Sequence, residues 1–157
     1  MTQEVKRSPV ATGSCLCGAI RFKVHGPLRD VVVCHCVFCR RMNTHVAAYT
    51  ACAVSDLEIE STRKLRWHRS SPKTRRGFCS KCGSALFWEP TPLTHMSISA
   101  GSLDAPTGLK IKEHVCTAQK GDYYELSDGV APAESIRCVG EVQAFTPSPL
   151  HQAQDSA

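Results

Sequence analysis

The chain has 157 residues, 19 basic and 14 acidic side chains, a formal charge of +5, ten cysteines and a hydrophobic fraction of 42%. That length supports one domain with a real core. The first twelve residues hold no apolar export signal, and no run reaches the roughly eighteen apolar residues of a membrane span. The expectation is a cytoplasmic protein with reduced thiols and no membrane partner. The charge is weak ground for a nucleic-acid partner. Two divalent ions bound by seven thiolates carry a net −3, which would bring +5 to about +2.

Residues 1–12 read as a flexible polar arm, and residues 13–144 as the folded domain. Cys15-Leu16-Cys17 opens that domain. Residues 19–25 alternate, with Ile20, Phe22 and Val24 on one face and Arg21 and Lys23 on the other, which predicts a half-buried strand. Gly26-Pro27 turns the chain. Val31-Val32-Val33 then makes a short buried strand that runs into Cys34-His35-Cys36-Val37-Phe38-Cys39. Residues 45–51 and 54–60 read as two further strands, the second with Leu57 and Ile59 inward, and residues 64–68 alternate through Leu65 and Trp67. Residues 77–88 have the form of a zinc knuckle, in which Cys79 and Cys82 grip and Gly83 relieves the turn. Met96, Ile98 and Ala100 repeat at a spacing of two, and residues 109–115 return as a strand after a loop. No window of eleven residues has a helical period, and the best helical candidate is a turn or two at 133–137. Residues 145–157, rich in Pro, Gln and Ser, read as a disordered tail. The sum is a mostly β domain of short antiparallel strands with little helix.

The cysteine spacings suit chelation rather than long-range cross-linking. Zinc is four-coordinate, and a structural site takes all four ligands from the protein. Cys15 and Cys17 with Cys79 and Cys82 close one such site, the first pair reaching the ion from a strand edge. Cys34, Cys36 and Cys39 then supply three ligands and leave a position open, the layout of a catalytic zinc. Another partition, Cys34 and Cys36 with Cys79 and Cys82, satisfies the same count. The triple can also be a second closed site, with Cys52, Cys116, Cys138 or His35 as fourth ligand. His35, between two ligands, should face away from them as a core or supporting histidine. Isolated Cys52, Cys116 and Cys138 read as small buried hydrophobes. Three thiolates make a soft site of net charge near −1, which favours a sulfur donor such as a substrate thiolate at the open position.

Arg40 and Arg41 follow the triple, and Arg63, Lys64, Arg66, Arg69, Lys73, Arg75 and Arg76 lead into the knuckle. They read either as a solvated charged face or as a clamp for the carboxylates of an anionic thiol, with Arg40, Arg41, Arg75 and Arg76 the candidates. Trp67 among cations raises a third reading, a nucleic-acid surface.

Three stretches carry a family resemblance: Gly13-Ser14-Cys15-Leu16-Cys17-Gly18, Cys34-His35-Cys36-Val37-Phe38-Cys39-Arg40-Arg41 and Arg76-Gly77-Phe78-Cys79-Ser80-Lys81-Cys82-Gly83. With Ser70-Ser71, Gly101-Ser102-Leu103-Asp104, His114 and Asp128-Gly129, they resemble the glutathione-dependent formaldehyde-activating enzyme family, which includes the centromere protein V type proteins. The likeness covers residues 13–133. It implies an Mss4-like fold (a β-tent) with two zinc ions. Cys15, Cys17, Cys79 and Cys82 would hold the structural ion, and Cys34, Cys36 and Cys39 the catalytic one. The implied activity is a carbon–sulfur lyase that joins formaldehyde, or another aldehyde, to glutathione or a similar small thiol. His35, His45 and Asp104 are candidates for the proton shuttle. The alternative is a non-catalytic zinc-supported module that binds a protein or nucleic acid. Many members carry Pro-Trp where this chain has Lys120-Gly121-Asp122-Tyr123-Tyr124, and a glycine is common where it has Met42-Asn43-Thr44.

Overall fold

The computed structural model describes residues 8–133. Most of the arm, Cys138, the tail and all but the first residue of the 133–137 candidate helix lie outside the described residues. Ten strands form two sheets. The smaller takes β1 (Ala11–Ser14), β2 (Arg21–Val24) and β5 (Leu57–Ile59), with β2 in the middle and both pairings antiparallel. The larger holds β3 (Val31–Cys34), β4 (Ala47–Cys52), β6 (Leu65–Ser71), β7 (Thr74–Cys79), β8 (Ala85–Pro90), β9 (Met96–Ser99) and β10 (Ile111–Val115), in the order β10-β3-β4-β9-β8-β7-β6.

The alternation of β2 does what its sequence predicts. Phe22 and Val24 are buried, and Arg21 is exposed. Phe22 meets Phe87 of β8 edge to face at 5.4 Å, an arrangement the ring quadrupoles favour. Around this pair Ile20, Leu86, Met96 and Ile98 fill the space between the sheets. Gly13 makes that approach possible. A Cβ there would lie 2.3 Å from the Phe22 ring and 2.5 Å from the Ser102 carbonyl oxygen, so no larger residue fits without a shift.

Several expectations change. β1 starts at Ala11, inside the stretch read as an arm, because Ala11 and Thr12 pair with Val24 and Lys23. Residues 54–60 open as a 3-10 turn, Val54–Asp56, before the three-residue β5, and Ala100 leaves β9 for a second such turn, Ala100–Ser102. One pairing is parallel rather than antiparallel: β10 lies alongside β3, with Val115 opposite Cys34. The chain therefore also contains an α-helix, α1 (Val37–Asn43), within the cysteine triple itself. Cys36 is its N-cap, with Sγ accepting the Cys39 N–H at 3.4 Å, and Thr44 ends it at φ 67°. Seven residues make less than two full turns, too few for an apolar period to register. Among the described residues no helix is long and apolar enough to cross a membrane.

Candidate metal centres

Cys15 and Cys17 belong to a turn, not to a strand edge, because β1 stops at Ser14. The turn is held by Gly18 N–H to Cys15 O (3.0 Å) and Cys15 N–H to Ile20 O (3.0 Å). Cys79 and Cys82 sit on the bend between β7 and β8. There the Gly83 N–H returns to Cys79 O at 2.8 Å, with Gly83 at φ +77°, a conformation glycine adopts without a Cβ penalty. The four Sγ atoms all lie within 4.8 Å of one another, with Cys15···Cys17 at 3.6 Å and Cys17···Cys79 at 3.9 Å. Zn–S bonds of about 2.3 Å in a tetrahedron put sulfurs about 3.8 Å apart, so these residues fit a zinc ion. Cys15 and Cys79 are buried in the core between the two sheets.

Ser84 joins the two pairs, and the sequence reading missed it. Its hydroxyl accepts the Leu16 N–H at 3.0 Å and donates to Cys82 Sγ at 3.2 Å. That hydroxyl, with the N–H groups of Ser84 and Cys17, holds the Cys82 thiol down to about 5. The residue is in the same position relative to the knuckle as any small polar side chain after a C-x-x-C-G run. Its contact with a segment 68 residues away is what sequence does not display.

Cys34, Cys36 and Cys39 form the second cluster, again with all sulfurs within 4.8 Å. Cys34 ends β3, Cys36 caps α1 and Cys39 lies in its first turn, so a strand end and a helix start aim three thiols at one point. The two clusters are separate, which sets aside the partition of Cys34 and Cys36 with Cys79 and Cys82. Among the described residues no fourth ligand joins the triple. Cys52 is buried in the main core, His35 uses both ring nitrogens elsewhere, and Cys116 is disulfide-bonded. That disulfide corrects the reading of Cys116 as an isolated hydrophobe. Among the three thiols the proton is unevenly shared. Hydrogen bonds from Cys34 and Cys39 hold Cys36 down to about 2, while hydrogen bonds with Cys36 and Cys39, together with burial, push Cys34 up.

The four arginines proposed as a clamp have four different situations. Arg76 is buried, 6% exposed, with Nη1 and Nη2 at 3.9 and 3.8 Å from Cys39 Sγ. Arg75 makes a two-pronged pair with Glu89 at 2.5 and 2.9 Å and covers the Trp67 ring at 4.3 Å. Trp67 also stacks on Phe87, so both neighbours occupy the ring that a nucleobase would need. Arg40 is half-buried, with its own Nε buried and without a hydrogen-bond partner, and Arg41 is on the exposed side of α1.

Behind the triple lies a polar chain whose two histidines are buried. His35 points away from the cysteines, as expected, and lines a cleft of ≈ 330 Å³ on the opposite face of β3, with His45, Tyr124 and Asp128. The Tyr124 hydroxyl bonds His35 Nδ1, His35 Nε2 bonds His114 Nδ1 at 2.9 Å, and His114 Nε2 bonds Asp128 at 2.8 Å. With both rings neutral the donors run one way, from Tyr124 through His35 and His114 to the Asp128 carboxylate. Burial pushes His35 below the usual imidazole range, and His114 holds Asp128 below the usual carboxylate range. Of the other shuttle candidates, His45 Nδ1 bonds the Tyr123 hydroxyl at 2.7 Å, and Asp104 accepts from Thr12 at 2.6 Å beside β1.

No curated protein matches the chain significantly in sequence. In fold it is similar to a crystal structure of a Rhodobacter sphaeroides protein, with a TM-score of 0.52 and 24% identity over 60% of this chain and 88% of that one. A family model described as glutathione-dependent formaldehyde-activating enzyme matches residues 10–119, from the start of β1 past the whole of β10. That span takes in both cysteine clusters and well over half of the chain, and on that ground the protein belongs to the glutathione-dependent formaldehyde-activating enzyme family.

Proposed function

We propose that the protein is a zinc-dependent carbon–sulfur lyase that joins formaldehyde to glutathione, forming S-(hydroxymethyl)glutathione, or runs that reaction in reverse. The observation that carries this reading is the three-sulfur cluster for which no fourth protein ligand exists among the described residues. Cys15, Cys17, Cys79 and Cys82 would hold a structural ion, and Cys34, Cys36 and Cys39 a second one. When bound, the second ion supplies a Lewis acid that keeps a thiol deprotonated near neutral pH.

The glutathione sulfur attacks the carbonyl carbon, the C–S bond forms, and the carbonyl electron pair moves to oxygen, which takes up one proton. Glutathione and formaldehyde thus give the hemithioacetal with no other product. Arg40, on α1 beside the triple, would receive a glutathione carboxylate, and its Nε without a hydrogen-bond partner supports that role. His35 and Asp104 are committed to other partners, and His45, bonded to Tyr123, lines the cleft on the opposite face of β3, so the new hydroxyl takes the proton that the thiol releases.

Metal quantification and exchange NMR with labelled formaldehyde and glutathione test the proposal. Two zinc ions per chain and faster interconversion of free and adducted formaldehyde are expected, with the acceleration abolished in Cys39→Ser. No acceleration by a fully loaded protein overturns it.

A further inference from the structure

The two clusters differ in how their negative charge is met. At the four-cysteine cluster the described hydrogen bonds to sulfur from other residue types come from neutral groups, the Ile20 N–H at 3.3 Å on Cys15 and the Ser84 hydroxyl on Cys82. At the triple a full positive charge is buried against the sulfur. Arg76 projects from β7, four sheet positions from the strand that carries Cys34, and faces Cys39 with both terminal nitrogens. Its Nε donates to Ser70 Oγ at 3.1 Å, which fixes the plane of the guanidinium. A buried guanidinium is costly unless it meets a negative partner. None of the described ion pairs includes Arg76, and the atom that both its terminal nitrogens face is Cys39 Sγ, which becomes a thiolate once an ion is bound.

We propose that Arg76 is the specificity-determining residue of the three-cysteine centre, the group that lets it accept an anionic sulfur as fourth ligand. This rests on the lyase reading and deepens it. A divalent ion with three thiolates carries −1, and a fourth thiolate takes the centre to −2 in a half-buried place. A fixed positive charge at contact distance of one ligand offsets that second unit, and does so more strongly the less water intervenes. A neutral fourth ligand gains nothing comparable. Arg76 therefore acts on the substrate's sulfur through the centre's charge. It does not bind a substrate carboxylate, since its side chain is buried against Cys39 and Ser70 rather than open to an arriving ligand.

The test uses the full chain loaded with cobalt(II), whose visible bands report the ligands at the triple. Wild type and Arg76→Met are each titrated with glutathione, with 2-mercaptoethanol and with imidazole. Arg76→Met should bind both thiols about tenfold or more weakly, leave imidazole binding unchanged, and recover most of the thiol affinity in Arg76→Lys. Equal thiol affinity in wild type and Arg76→Met overturns the proposal, as does a loss seen with glutathione but not with 2-mercaptoethanol, which has no carboxylate. If Arg76→Met does not hold cobalt, Ser70→Ala, which frees the guanidinium from its anchor, must lower the thiol-to-imidazole preference severalfold. An unchanged preference there overturns the proposal too. No thiol band in the wild type instead overturns the lyase reading itself.

Discussion

The four-cysteine and three-cysteine clusters use one donor atom in two surroundings. The first rests on the main core through the buried Cys15 and Cys79 and ties the turn after β1, in the small sheet, to the β7–β8 bend of the large one. The second packs into a minor cluster with Ala47, Tyr49 and Trp88, where a strand end meets a short helix. One links two sheets, and the other gathers a single stretch of chain. The difference teaches that ligand count alone does not set the role of a site. The closed cluster crosses between the two sheets, so an ion held there would be part of the fold. The open cluster draws its three sulfurs from six consecutive residues, so the fold is expected to stand without an ion there.

Breaking the closed cluster should have the largest effect. A structural zinc contributes roughly 10–16 kcal/mol in small peptides, against about 5–15 kcal/mol for the net stability of a whole domain. Cys79→Ser is therefore expected to unfold the protein, with loss of β-sheet circular dichroism and of both ions. Cys39→Ser should keep the fold and one zinc per chain, shift the melting temperature little, and lose the activity. If the two variants unfold alike, the contrast between the clusters fails.

Smaller changes sharpen the comparison. His114→Ala leaves the His35 imidazole without its buried partner, at a cost of about 1–3 kcal/mol in a denaturant titration, while zinc content at the four-cysteine cluster stays the same. Ser84→Ala acts on the other side. The Cys82 pKa is lowered in the fold, so its contribution is present above the ordinary thiol value and is lost as pH falls through about 5. Without the Ser84 hydroxyl that point moves up, and half-release of the structural ion in a pH titration should occur at a higher pH. Thr44→Gly is the mildest. A β-branched residue at φ 67° is strained where glycine is not, so the variant should gain about 1 kcal/mol and melt higher.

Much of this was legible from the chain itself. Alternation in β2, the C-x-x-C-G knuckle and the orientation of His35 follow from local pattern, because each depends on residues a few positions apart. The glycine missing after Arg41 also had a physical meaning, since Thr44 takes the left-handed position that a glycine would relieve. What escaped was set by distance along the chain. Helix α1 is too short to show a period, and β10 pairs parallel to a strand some 80 positions away. Ser84 reaches Leu16, and Arg76 reaches Cys39 across 37 positions. The basic run containing Arg75 and Arg76 looked uniform. Yet one guanidinium pairs with Glu89 on the neighbouring strand and the other turns inward to a thiol, a division that only the β7 pleat decides.

The late arrival of β10 beside β3 imposes an order on assembly. By the time Cys82 has left the ribosome, all four sulfurs of the closed cluster exist. The groups that back the open one come last, since His35 finds His114 only 79 positions on and Tyr124 only 89 positions on. A nascent chain therefore holds every sulfur of both clusters before the groups that back the open one have been made, so the scaffold of the closed cluster can settle first.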